Sequence, residues 1–145
     1  QTNAYVTLPD GVYVELQEDQ SLHEAFTGYH IHYFTPDYES LLEWYVEVFE
    51  LEIRPRGSIA TTTNVPGTNL SFGNSNDPRE HTIGTAIDHI GFEVENLKDF
   101  CLKLQAKGVQ FEVPYHENEA LGIANAFLTD PGGVRIELTE GLDAY

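Results

Sequence analysis

Two histidines open matching segments of the chain. His30 begins the alternating run His30-Ile31-His32-Tyr33-Phe34, closed by Asp37, and His89 begins His89-Ile90-Gly91-Phe92-Glu93-Val94, closed by Asn96, an offset of 89 − 30 = 59 residues. If each run is a strand, its period of two puts His30 and His32 on one face, and His89, Gly91 and Glu93 on one face. Near the end of the chain Val134, Ile136 and Leu138 turn one way, and Arg135, Glu137 and Thr139 turn the other. These residue types can do chemistry. Neutral imidazole binds divalent ions and accepts protons near neutral pH, a carboxylate does both, and a guanidinium orients carboxylate or enolate oxygens. Each residue also has a plainer reading. A strand-opening histidine is more often hydrogen-bonded or solvated, a lone glutamate in a final strand usually faces water, and Arg135 has many surface acids to pair with.

The elements that must position these residues repeat as well. After Asp37, Leu41, Leu42, Tyr45, Val46 and Phe49 recur at the spacing of one helix face, with Glu39, Glu43, Glu47 and Glu50 opposite. After Asn96, Leu97, Phe100, Cys101 and Leu104 repeat the stripe; Lys103 and Lys107 sit in the last turns and Gly108 offers a left-handed stop. Asp37 and Asn96 stand where helix caps belong. Strand-like runs follow each helix, at 51–54, 58–63 and 68–73 in the first copy and at 109–113, 124–128 and 134–138 in the second. Each half therefore reads βαβββ. Residues 7–16 match 129–138 position by position, turn glycine and strand glutamate included, so the chain opens with the last strand of a partial module. A Pro-Asp-Gly turn before any edge strand gives the same pattern, and both readings stand. The expected organisation is an N-terminal strand and linker at 1–27, a first module at 28–76, a linker at 77–86 and a second module at 87–145.

Together the His30-to-Asp37 strand, Trp44-Tyr45, the segment Ile87-Asp88-His89-Ile90-Gly91-Phe92-Glu93-Val94 and the closing Thr129-Asp130-Pro131-Gly132-Gly133-Val134-Arg135-Ile136-Glu137-Leu138 resemble the glyoxalase, bleomycin-resistance and extradiol-dioxygenase group, the vicinal oxygen chelate superfamily. The resemblance spans residues 29–142. It implies an α+β fold in which two βαβββ modules form an open eight-stranded, mixed, barrel-like sheet with helices outside, plus the extra N-terminal strand. It also implies a divalent metal (Fe, Mn, Ni, Co or Zn) held by His30, His89 and Glu137, in one chain or across a swapped homodimer. The substrate would be a small molecule chelating the ion through neighbouring oxygens. Glu137 would double as the proton acceptor, with His32 or Glu93 as alternatives, and Arg135 and Glu93 would contact substrate. Isomerase or lyase proton transfer and extradiol dioxygenation both fit. Ser71 falls where the glyoxalases carry a further acid, which favours a three-ligand site of the dioxygenase or fosfomycin-resistance kind over lactoylglutathione lyase. A bleomycin-resistance type of protein that sequesters a small molecule is the non-catalytic alternative, and an accessory domain completed by the N-terminal partial module is a third.

Composition narrows the partners. Seven Lys and Arg against 24 Asp and Glu leave a net charge of −17 in 145 residues, a surface that repels phosphate backbones and anionic lipid. Cys101 is alone, so no intrachain disulfide forms, and its helical spacing reads as core. A glycine-rich phosphate loop, a His-Glu-x-x-His helix, a Cys-x-x-Cys pair and a Gly-x-Ser-x-Gly elbow are all missing from the sequence. His23, His81 and His116 lie in turn-rich sequence and are expected to be solvated. The start at Gln1 without Met is compatible with an exported, processed chain or with a cytoplasmic one.

Overall fold

In the computed structural model the alternating runs and helical stripes become nine strands and two helices among the described residues, 2–77 and 79–142. Gln1, Pro78 of the expected linker and the last three residues of the expected second module lie outside them. In chain order the elements are β1 (Asn3–Thr7), β2 (Tyr13–Gln17), β3 (His30–Phe34), α1 (Tyr38–Phe49), β4 (Thr62–Val65), β5 (Thr68–Gly73), β6 (Ile90–Glu93), α2 (Leu97–Ala106), β7 (Phe111–Asn118), β8 (Ile123–Thr129) and β9 (Arg135–Glu140).

The fold class is the expected one, α+β with open mixed sheets. The second module is a four-stranded sheet in the order β6-β9-β8-β7, with β6 parallel to β9. The first module has the order β3-β5-β4, with β3 parallel to β5. Its expected strand at 51–54 shrinks to a single bridge from Ile53 to Thr63. Pro55 ends that run by removing a donor, and the Arg56–Ile59 bridge bends the chain through Gly57 at φ +59°. The turn consumes Ser58 and Ile59, so the following strand starts at Thr62 instead of 58. The N-terminal extra strand is a hairpin: β1 and β2 pair antiparallel as a separate two-stranded sheet.

One hydrophobic cluster joins both modules. Helix α1 contributes buried Leu41, Leu42, Tyr45 and Val48; Val46 and Phe49, expected on that face, are only partly buried. Phe49 instead packs rings with Phe92 at 6.2 Å and Phe100 at 6.3 Å, bridging to the second module. Cys101 is buried as expected, and burial pushes its thiol up to about 11, which keeps it protonated and unreactive.

The helix ends are satisfied differently from the sequence expectation. Asp37 and Asn96 occupy the capping positions, but neither side chain makes a capping bond. At α2 the Glu140 carboxylate accepts the backbone N–H of Asn96 at 3.3 Å and of Leu97 at 3.1 Å, placing negative charge at the positive end of the helix. The lysines of α2 serve α1 as well. The Lys107 ammonium donates to the Glu47 carbonyl at 2.6 Å, and Lys103 pairs with Glu50, the left-handed residue that ends α1, at 2.7 Å.

A buried polar contact ties the modules together. The Tyr45 hydroxyl donates to Asp130 Oδ2 at 2.7 Å and lies 3.1 Å from the Tyr33 hydroxyl, while Asp130 Oδ1 accepts the Val134 N–H at 2.9 Å. Burial raises the pKa of Asp130 above the usual carboxylate range and that of Tyr45 well above the usual phenol range. Removing the donor strands a buried carboxyl oxygen, which costs about 1–3 kcal/mol. Tyr45→Phe is expected to lower unfolding stability by about that amount. Tyr38→Phe, whose hydroxyl touches only the exposed Glu39 at 3.2 Å, serves as control and is expected to stay within about 0.5 kcal/mol of wild type. Urea denaturation of both variants checks this.

Candidate metal-binding site

In the second module the parallel register sets Gly91 opposite Glu137. His89 lies two residues before Gly91 on the same face, and a side chain at Gly91 would meet nothing within 4 Å, so the space beside Glu137 is open. Into that space His89 Nε2 approaches Glu137 Oε2 to 3.2 Å. The other ring nitrogen, Nδ1, lies 2.9 Å from Asp88 Oδ1. Between two carboxylates the ring can donate in both directions as an imidazolium. With the proton on Nδ1 toward Asp88, the Nε2 lone pair is the one left to face an ion held beside Glu137. An outer carboxylate that fixes the tautomer in this way is what a metal-binding histidine requires.

Asp88 is itself held in place. Its Oδ2 accepts the Gly84 N–H at 2.6 Å and its Oδ1 receives Arg135 Nη1 at 3.2 Å. The Gly84 N–H, then the His89 ring, then Arg135 pull its pKa down to about 2. Glu137 is oriented by Asn125, whose amide donates to Oε1 at 3.2 Å. Sequence reasoning had not singled out Asp88 or Asn125 as functional. Asp88 beside His89 in the sequence was the available signal, a carboxylate next to an imidazole.

Arg135, expected at the substrate, is engaged by the protein. Its guanidinium spans Asp88 and Glu112, with Nε 3.1 Å from Glu112 Oε2, and stacks 4.4 Å above the Phe127 ring. Glu93 is engaged too: Oε1 accepts the Gly141 N–H at 2.6 Å and the Leu142 N–H at 3.0 Å, and Oε2 takes the Thr139 hydroxyl at 2.8 Å, closing the end of β9.

The first module repeats the frame with different side chains. His32 stands opposite Ser71, so Ser71 occupies the place of Glu137 and offers no carboxylate. The His32 ring stacks on Phe34 at 4.0 Å and meets His30 edge-on at 5.9 Å. Partial desolvation, then the neighbouring His30, lowers its pKa, which favours a neutral base. His30 turns to the N-terminal hairpin, with Nε2 3.2 Å from Glu15 Oε2, and its buried Nδ1 has no hydrogen-bond partner. The three side chains expected around one ion thus fall into two places, His89 with Glu137 and His30 with Glu15. Among the described residues no three His, Cys, Asp or Glu side chains gather closely enough to hold an ion.

Comparison with known proteins bears on the fold. A family model described as Glyoxalase/Bleomycin resistance protein/Dioxygenase superfamily matches residues 29–138. No curated protein sequence matches the chain. Among solved structures, a glyoxalase family protein from Enterococcus faecalis superposes with a TM-score of 0.59 at 22% identity, covering 77% of this chain and 94% of that one. A putative glyoxalase family protein from Bacillus anthracis gives a TM-score of 0.64 at 16% identity, covering 84% and 99%. A superfamily member from Sphaerobacter thermophilus gives 0.61 at 21% identity, covering 83% and 100%.

The lowered pKa of Asp88 has a pH signature. A carboxylate with a depressed folded-state value contributes stability above its unfolded value and loses it as pH falls through the folded one. For Asp88 that window runs from 3.8 down to about 2. Asp88→Asn is therefore expected to lose less thermal stability than wild type between those pH values and to be less stable than wild type at neutral pH, read from melting temperature against pH.

Proposed function

Because the chain belongs to the Glyoxalase/Bleomycin resistance protein/Dioxygenase superfamily, we propose that it is a divalent-metal-dependent enzyme acting on a small substrate that chelates the ion through neighbouring oxygens. The observation that carries this reading is the Asp88–His89–Glu137 line, an imidazole held on one side by a carboxylate while its other nitrogen lies 3.2 Å from a second carboxylate. Those donors fit a borderline ion such as Fe, Mn, Ni, Co or Zn. His30 supplies the further imidazole, and since it stands apart from His89 and Glu137 within the chain, a homodimer that brings the first module of one copy to the second module of another completes the site.

When bound, the ion polarises a carbonyl or enolate oxygen as a Lewis acid. The chain's own residues do the remainder. Glu137, whose Oε1 accepts the Asn125 amide at 3.2 Å, accepts a proton from the substrate carbon in this reading. His32, whose pKa is lowered by desolvation and by His30, is the second base, and its ring lies 5.9 Å from that of His30 on the same face of β3. Arg135 acts as a positioning residue: its 3.2 Å contact holds Asp88, and Asp88 holds the His89 ring. Proton-transfer isomerisation or lyase chemistry and dioxygenation both remain compatible with this donor set, and a redox-inert native ion selects the former.

Elemental analysis of protein purified without a chelating column is expected to show about one divalent ion per His89–Glu137 pair. His89→Ala and Glu137→Gln are expected to weaken metal affinity at least tenfold, on the order of what loss of a ligand or of its supporting contact costs. Ser71→Ala should leave it unchanged. A protein that acquires no metal but still binds a small apolar molecule would instead be a sequestering protein.

A further inference from the structure

The N-terminal hairpin is a structural copy of β8–β9. Residues 3–16 and 125–138 run Asn-Ala-Tyr-Val-Thr-Leu-Pro-Asp-Gly-Val-Tyr-Val-Glu-Leu and Asn-Ala-Phe-Leu-Thr-Asp-Pro-Gly-Gly-Val-Arg-Ile-Glu-Leu, identical at eight of fourteen positions with a constant offset of 125 − 3 = 122. The likeness extends to strand register and turn geometry. Tyr5 pairs with Glu15 as Phe127 pairs with Glu137, and Asn3 pairs with Gln17 as Asn125 pairs with Thr139. The turn glycines match, Gly11 at φ +89° and Gly133 at φ +88°.

The chemistry at the two tips of this copy is also the same. Glu15 Oε1 receives the Asn3 amide at 2.8 Å, as Glu137 Oε1 receives the Asn125 amide at 3.2 Å. Glu15 Oε2 lies 3.2 Å from His30 Nε2, and Glu137 Oε2 lies 3.2 Å from His89 Nε2. The His30–Glu15 pair is largely shielded, with the side chains 17% and 21% exposed. Meanwhile β5 carries Ser71 in the register position that β9 fills with Glu137.

On the reading that the protein binds a divalent ion through His89 and Glu137, we propose that Glu15 is a further metal ligand, supplied by the N-terminal hairpin in place of the carboxylate that the first module lacks at Ser71. In the homodimer that brings the first module of one copy to the second module of another, the ion then takes His30 with Glu15 from one half of the site and His89 with Glu137 from the other. Two carboxylates neutralise a divalent charge, which one cannot do alone, and the second imidazole–carboxylate pair gives the first module a working half-site. Among the described residues the hairpin forms no sheet with the rest of the chain, and Glu15 is where it reaches His30.

The test is cobalt(II) titration of the full-length chain, followed by calorimetry and by the visible spectrum of the bound ion, in wild type, Glu15→Gln, Ser71→Ala and His89→Ala. Glutamine keeps an acceptor oxygen for the Asn3 amide and can donate its amide N–H to an unprotonated His30 Nε2, so a role limited to tethering the hairpin would leave cobalt affinity and spectrum unchanged. Ligation predicts an affinity loss of about tenfold or more together with an altered spectrum, with Ser71→Ala like wild type. Melting of the metal-free variants checks folding. Asn3→Ala, which removes the shorter of two outer contacts to Glu15 Oε1 and leaves the Tyr5 hydroxyl at 3.3 Å, is the second variant, and outer-contact losses of this kind weaken binding by about tenfold. If wild type binds cobalt and His89→Ala abolishes it while Glu15→Gln and Asn3→Ala bind as wild type does, the Glu15 assignment is overturned and the metal reading stands. If wild type binds no cobalt, both fall.

Discussion

The parallel pairing of the first and last strands of each module is the constraint on which the rest depends. Parallel neighbours cannot be joined by a tight turn, so the intervening chain must cross over as a helix and return through further strands. That requirement gives βαβββ in the second module and βαββ in the first, where the strand at 51–54 is reduced to one bridge. It also brings a strand-opening histidine alongside the last strand. In the second module the register sets Gly91 against Glu137, and the missing side chain lets His89 reach across from two residues earlier. In the first module the same register sets His32 against Ser71, and the frame survives without its acid.

Two kinds of contact then fix the modules relative to each other. Apolar packing runs through Phe49, Phe92 and Phe100, and the Tyr45–Asp130 hydrogen bond joins α1 to the turn before β9. The second is directional and buried, so it sets where β9 begins, and with it the position of Arg135 and Glu137. The acidic surface has a related consequence. Each of the seven cationic side chains is committed to a contact within the chain, Lys103 and Lys107 at the end of α1, Arg135 at Asp88, Arg54 at Glu52, Arg79 at the Phe34 carbonyl, and Arg56 and Lys98 over Tyr29 and Tyr115. The uncompensated charge is therefore negative, a field that draws divalent cations toward the protein and discourages polyanionic ligands.

Arg135 shows how such a surface redirects a residue. On sequence alone it faces the cup two residues before Glu137, and a substrate carboxylate is a natural partner. In the fold, Asp88 and Glu112 reach it first, and its charge serves to hold the carboxylate that orients His89. Glu93 is redirected in the same way, to the N–H groups that close β9.

What the sequence determined by itself is what local periodicity encodes. The helical stripes, the alternation that puts Glu137 and Arg135 on one face, the exact span of β5, and the match of Ser71 to Glu137 all follow from spacings of two and of three to four residues, which the chain carries without reference to its tertiary contacts. What only the tertiary structure decided is which side chains meet. Val48 rather than Val46 enters the core because the helix rotates to suit the sheet beneath it. The cap expected at Asn96 goes unused while Glu140, from the end of β9, accepts the N–H groups there. His30 finds Glu15 and not His89 because a hairpin fifteen residues earlier folds back over β3. Periodicity fixes the face of an element on which a residue stands, whereas the partner across the gap depends on how whole elements dock, and no spacing within one element records that.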